Sequence, residues 1–164
     1  MEQNTTKAFL GLLRISMGLI FLWAFLDKTF GLGFATASEK AWSVGGSPTA
    51  GFLKNAVHGP FADFFHSLSG LAIVDWMFML GLLFIGITLT FGIMVRLGSI
   101  AGALLLFMMY LALALPPENH PFIDEHFIYI LVMGILYFGN AGKYFGLGSK
   151  WYNTPLVQKH KILA

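Results

Sequence analysis

The chain has 164 residues, 57% of them hydrophobic and only 11% charged, with a mean hydropathy of +0.73; soluble domains are roughly 45 to 50% apolar, so the composition excludes an ordinary water-soluble globule. The net charge of +2 is carried by bases that form no stripe along the sequence, which argues against nucleic acid as a partner. No cysteine occurs, so no disulfide relay, no covalent haem through a C-x-x-C-H motif and no protein-ligated iron–sulfur cluster is expected.

The first apolar run, from Ala8 to Leu26, predicts a spanning helix over about 8–27. It is too long for a signal-peptide core, and Phe25-Leu26-Asp27-Lys28 follows it in place of a small-residue cleavage site, so a retained helix is expected. A long connection comes next, with residues 34–70 predicted as an outer cap. Ser47-Pro48 reads as an N-cap with proline in the first turn, opening a short helix with Phe52, Leu53, Ala56 and Val57 on one side. Gly59-Pro60 breaks it, and Phe61, Phe64, Phe65 and Leu68 form the apolar face of a second short helix. Such pieces lie in the membrane interface or fold over the mouth of a bundle.

Two further spanning helices are predicted over about 72–95 and 97–115, joined by a tight turn at Arg96. Pro116-Pro117 ends the second of them, and its Gly98 and Gly102 form a small-xxx-small pair suited to close helix contact. A fourth apolar run, Phe127 to Ala141, is short for a span and is extended here over 125–145. A basic tail occupies 146–164. No run alternates with period two, so a barrel is excluded and the expectation is all-α: one integral membrane domain over 1–164, a four-helix bundle with short interfacial helices between helices one and two.

Orientation follows from the bases. Placing the N-terminus in the cytoplasm puts Lys7, Arg96, Lys143, Lys150, Lys159 and Lys161 there, with Arg14 near that side, and leaves only Lys28, Lys40 and Lys54 outside. The expected location is the cell membrane, multi-pass, with both termini cytoplasmic.

This topology gathers polar chemistry at the outer helix ends: Trp23, Asp27 and Lys28 from helix one, Asp75 and Trp76 from helix two, and Glu118, His120, Asp124, Glu125, His126 and Tyr129 around the start of helix four. His58 and His66 belong to the cap on the same side. Each has a plain structural reading beside the functional one. Tryptophans anchor helices at membrane interfaces; Asp124 and Glu125 favour a helix N-terminus; Asp27 and Lys28 form a hydrated pair. No metal site is expected, because His120 and His126 do not share a helical face. Arg14 needs a partner wherever it lies in the membrane: lipid phosphate, helix C-terminal carbonyls, Thr88, Thr90 or a bound anion.

The first-helix pattern Leu13-Arg14-Ile15-Ser16-Met17-Gly18-Leu19-Ile20-Phe21-Leu22-Trp23 with Asp27-Lys28, the stretch Phe78-Met79-Leu80-Gly81-Leu82, and Leu115-Pro116-Pro117-Glu118-Asn119-His120-Pro121-Phe122-Ile123-Asp124-Glu125-His126 resemble the DoxX superfamily. Within it, the DoxD-type subunits of thiosulfate:quinone oxidoreductase are the nearest match, over roughly Leu12 to Trp151. The resemblance implies a four-helix membrane subunit that helps oxidise thiosulfate to tetrathionate, passes electrons to quinone and works with a second oxidoreductase subunit. Arg14, Gly18 and Lys28 correspond by position to recurrent residues of the family's first helix, and the resemblance transfers no catalytic residue. From the residues alone, Lys28, Lys54, His58 and His66 are the cations available to an incoming anion, while His126, Tyr129, Trp23 and Trp76 suit a quinone headgroup. The competing readings are a non-catalytic scaffold that holds a soluble oxidoreductase at the bilayer through the basic tail, and a small-molecule or lipid carrier; a homo-oligomer fits any of them.

Overall fold

The computed structural model describes residues 2–113, 117 and 120–164. Every regular element among them is helical. Helix α1 (Glu2–Phe30) is followed by the short α2 (Ala50–Asn55) and α3 (Ala62–Ser67), then by α4 (Ala72–Phe91), α5 (Val95–Leu113) and α6 (Glu125–Phe138), and two five-residue helices close the chain, α7 (Gly148–Tyr152) and α8 (Pro155–Lys159).

Three of these helices, α1, α4 and α5, are long and apolar enough to cross a membrane. Helix α1 starts earlier than its hydropathy predicts, because the polar residues before Ala8 include no proline or glycine to stop it. It ends where Gly31, at φ 62°, donates its N–H to Asp27 O at 2.8 Å. Helix α4 stops at Phe91, short of the expected Val95. Gly92 takes the left-handed conformation at φ 80° and donates to Thr88 O, a glycine C-cap that hydropathy does not register. The turn therefore runs over residues 92–94, and Arg96 already belongs to α5. Helix α6 likewise ends at Phe138: Gly139 and Asn140, the latter at φ 49°, break it before a 3-10 turn at Ala141–Lys143, so the continuation to 145 is not helical. At 14 residues it is about 21 Å long, shorter than the ~30 Å hydrocarbon core of a bilayer.

Helix α1 packs on α4, α4 on α5, and α5 on α6. Glycines set the closest of these approaches. A Cβ on Gly18 would lie 2.5 Å from the Thr90 backbone nitrogen, and one on Gly86 would lie 2.8 Å from Leu22 Cα, so α1 and α4 meet nearly backbone to backbone. The Gly98 and Gly102 pair serves two partners: Gly98 faces Thr88 of α4, whereas Gly102 faces Met133 of α6. Between these contacts lies the core of Met79, Leu82, Ile85, Leu89, Leu106, Met133 and Leu136. Large apolar side chains such as Leu19, Met77, Leu104, Leu131 and Ile135 point away from it and are exposed, as a lipid-facing surface requires.

Residues 34–70 fold over one end of this assembly. Leu53, Val57 and Phe65 pack with Ala112 of α5 as a second apolar cluster, and His58 N–H donates to Ala112 O at 3.2 Å. Helix α2 begins later than Ser47-Pro48 predicts: Thr49 is its N-cap and makes no side-chain cap bond, its hydroxyl being committed to Asp75, while the Ser47 hydroxyl accepts from Ala50 N–H at 3.0 Å from outside the helix. At the opposite end the tail folds back, with Arg96 N–H donating to Ala164 O at 2.9 Å and Trp151 Nε1 to Leu163 O at 2.6 Å.

Candidate functional site: a cavity beneath the cap

Two acids hold the cap in place. Asp75, in the first turn of α4 and buried, accepts from the hydroxyls of Ser47 (2.9 Å) and Thr49 (2.5 Å) and from the Thr49 N–H (3.2 Å). Asp27, only 1% exposed, accepts from the backbone N–H groups of Phe34 (3.1 Å) and Ala35 (3.0 Å). It is therefore a loop-organising carboxylate and not half of a hydrated pair with Lys28. The correction has a simple cause: the glycine-terminated end of α1 turns the chain back so that two unpaired N–H groups face the carboxylate. Asp75→Ala would leave three donors that converge on one carboxylate oxygen without their acceptor and is expected to cost about 2 kcal/mol; limited proteolysis should then cut within 34–70 at protease levels that leave the wild type intact.

The cap does not seal down onto the bundle. A cavity of about 220 Å³ remains between it and helices α4 and α5. Thr49, Phe52 and Leu53 wall it from the α2 side, Phe65 from α3, Phe78 from α4, and Met108, Met109 and Ala112 from α5. Lys28, reaching in from the end of α1, is the one charged residue among the described residues of this lining, and its ammonium lies 6.0 Å from the Phe78 ring centroid. Among the described residues it makes no hydrogen bond or ion pair, the Asp27 carboxylate acting on it through charge alone. The cavity exceeds the ~150 Å³ apolar voids that take up a benzene ring. Its chemistry is that of a site for a flat or chain-like apolar molecule with one acceptor or anionic head.

The remaining sequence candidates fall elsewhere. Trp23 and Trp76 are about half exposed, in edge-to-face contact with Phe34 (5.0 Å) and Trp42 (4.6 Å), as interface anchors would be. His58 is exposed and its Nδ1 sits 3.1 Å from Ala56 O; His66 is exposed. The start of α6 forms a second polar cluster. Asp124 caps the helix by accepting from Phe127 N–H at 3.0 Å and holds His126 Nδ1 at 2.6 Å. His120 Nδ1 accepts from the N–H groups of Phe122 (3.1 Å) and Ile123 (3.0 Å), and Tyr129 is half-buried against the main core. Asp124, Glu125 and His126 bring three ligand-type atoms together, Glu125 being exposed, while Glu118 lies outside the described residues. None of residues 120–129 lines the Lys28 cavity.

Arg14 is fully buried at the other end. Its Nη1 donates to Leu89 O (2.9 Å), and its Nη2 to Tyr144 O (3.0 Å) and Phe145 O (3.2 Å). The helix-end carbonyl of Leu89, a partner class the sequence leaves open, is thus one of its acceptors, and two carbonyls of the irregular chain after α6 are the others. The cavity walls Phe52, Phe65, Phe78, Met108, Met109 and Ala112 are missing from the sequence candidates because apolar residues at helical spacing carry no sign of which core they face; only the one-sided cap segments hinted at them.

No family model, curated protein or solved structure matches the chain. The functional reading therefore rests on the geometry and on the residue patterns.

Proposed function

We propose that the chain is a DoxX-type, four-helix membrane subunit of an oxidoreductase, and that the cavity beneath the cap receives a quinone headgroup. The observation that carries this reading is the 220 Å³ apolar cavity with the Lys28 ammonium as the one charged group among its described lining residues. Quinone already dissolves in the bilayer around the helices, and its isoprenoid tail suits the exposed apolar surfaces of α4 and α5. Lys28 would donate to a quinone carbonyl oxygen and stabilise the negative charge that grows there on reduction. In the full reaction two thiosulfate ions lose two electrons and join as tetrathionate, while quinone takes those electrons and two protons to become quinol. With no cysteine in the chain, the electrons come through a second oxidoreductase subunit. Among the described residues six acids, Asp27, Glu39, Asp63, Asp75, Asp124 and Glu125, belong to the cap end and disfavour a dianion there, so the thiosulfate chemistry is assigned to that partner.

Purified protein is expected to carry extractable quinone, to show neither a haem Soret band nor flavin absorption before or after dithionite, and to need the partner for thiosulfate-dependent quinone reduction. A Soret band would replace this mechanism with haem held by histidines, and a preparation with neither quinone nor cofactor would favour the scaffold reading.

The same reading places the cap outside and both termini in the cytoplasm, from the excess of bases at the Arg96 end. Ser43 and Ser149 are exposed at opposite ends of the assembly, and no native cysteine competes. In intact cells an impermeant maleimide should label Ser43→Cys and spare Ser149→Cys. The reverse pattern would invert the orientation.

A further inference from the structure

Bases that look scattered in the sequence converge in the fold at the end opposite the cap. Arg96 is fixed by Nη1 donating to Lys161 O and Nη2 to Asn140 Oδ1, both at 2.9 Å. Those bonds draw the tail back, and Lys143 and Lys161 then stand around one ring: their ammonium groups lie 3.9 Å and 5.3 Å from the centroid of Tyr152. Lys143, by hydrogen bonding and by charge, and then the charges of Lys161 and Arg96, hold the Tyr152 phenol below the ordinary tyrosine range. No carboxylate among the described residues forms an ion pair with any of these three cations. Like charges gathered this way call for a counterion.

The surroundings say which kind. Phe145, Leu147, Leu156 and Ile162 in the same segment are between 43% and 53% exposed, interleaved with the exposed Lys150 and Lys159. Apolar side chains beside lysines, just beyond the ends of membrane-crossing helices, are the pattern of a segment lying at the lipid headgroups.

We propose that Arg96, Lys143 and Lys161, arranged around Tyr152, bind the phosphate of an anionic phospholipid whose acyl chains run along the apolar side chains of the same segment. The lysine ammonium groups and the phenol face the phosphate oxygens, while the Arg96 guanidinium, already committed to Lys161 O and Asn140, fixes the tail and adds charge. This site rests on the membrane placement of α1, α4 and α5 and is independent of the redox reading.

The full chain in nanodiscs of phosphatidylcholine, with or without phosphatidylglycerol, tests it. Native mass spectrometry of protein released from the mixed discs should show phosphatidylglycerol retained over phosphatidylcholine, and the thermal midpoint should be higher in the mixed discs. Lys143→Gln with Lys161→Gln should lower that retention about tenfold, whereas the double arginine variant and Lys150→Gln with Lys159→Gln should stay close to wild type. Equal retention of both lipids, or unchanged preference in Lys143→Gln/Lys161→Gln, would overturn the proposal. So would inorganic phosphate giving the same stabilisation in pure phosphatidylcholine, because the site would then be one for a free anion.

Discussion

Arg14→Met is expected to lower the stability of the protein in detergent by about 3 kcal/mol or more, the largest loss of any single substitution considered. Leu89 lies in the last turn of α4, where carbonyls have no helical partner, and Tyr144 and Phe145 lie in irregular chain after α6. In a lipid environment such carbonyls must be satisfied by the protein itself. Arg14 satisfies one on α4 and two beyond α6, so a single side chain of α1 ties three parts of the chain together. Methionine fills much of the volume but leaves all three oxygens without that donor. Lysine should rescue only partly, since one ammonium does not reproduce the planar fork that reaches both sides. Gly92→Ala should mimic the loss from the other direction: the new Cβ would run into the Arg14 guanidinium, at a backbone φ of +80° that alanine resists. Thermal unfolding followed by size-exclusion chromatography measures all three, and an unchanged midpoint for Arg14→Met would refute the structural role.

Lys28→Met should weaken quinone binding at least tenfold while leaving the thermal midpoint near that of the wild type. The magnitude follows from losing one hydrogen bond to a charged donor, about 1.5 to 3 kcal/mol. Stability is spared because no protein acceptor among the described residues depends on that ammonium. Ala112→Phe, which fills the cavity from α5, should reduce binding with Lys28 still present. Equilibrium binding of a short-chain quinone to purified protein separates the two effects. Normal affinity in Lys28→Met would remove the lysine from the site, and normal affinity in Ala112→Phe would remove the cavity.

The sequence already contained the four apolar runs, the need of Arg14 for a partner and the place of Asp124 at the start of α6, because each is a local rule: run length, a charge in lipid, an acid at a helix N-terminus. The helix ends were less legible. Gly92 and Gly139 sit inside apolar stretches, where a hydropathy average does not distinguish a stop from a continuing helix. The buried state of Asp27 was hidden for another reason, since it depends on a glycine-turned loop bringing Phe34 and Ala35 back over the helix end. Long-range placement was least visible of all. Phe52 and Met108 are far apart in sequence, and nothing local marks them as facing one cavity. Lys143 and Lys161 likewise become neighbours only because the tail folds back to Arg96.

The central claim is that quinone binds beneath the cap, beside Lys28, and a photoreactive quinone analogue locates it directly. Irradiation of the membrane-embedded protein followed by peptide mass spectrometry should place adducts on the cavity walls, at Phe52 or Leu53 of the cap and at Met108 or Met109 of α5, with labelling suppressed by excess unmodified quinone. Competable adducts confined to residues 120–129, or no competable adduct at all, would contradict the account.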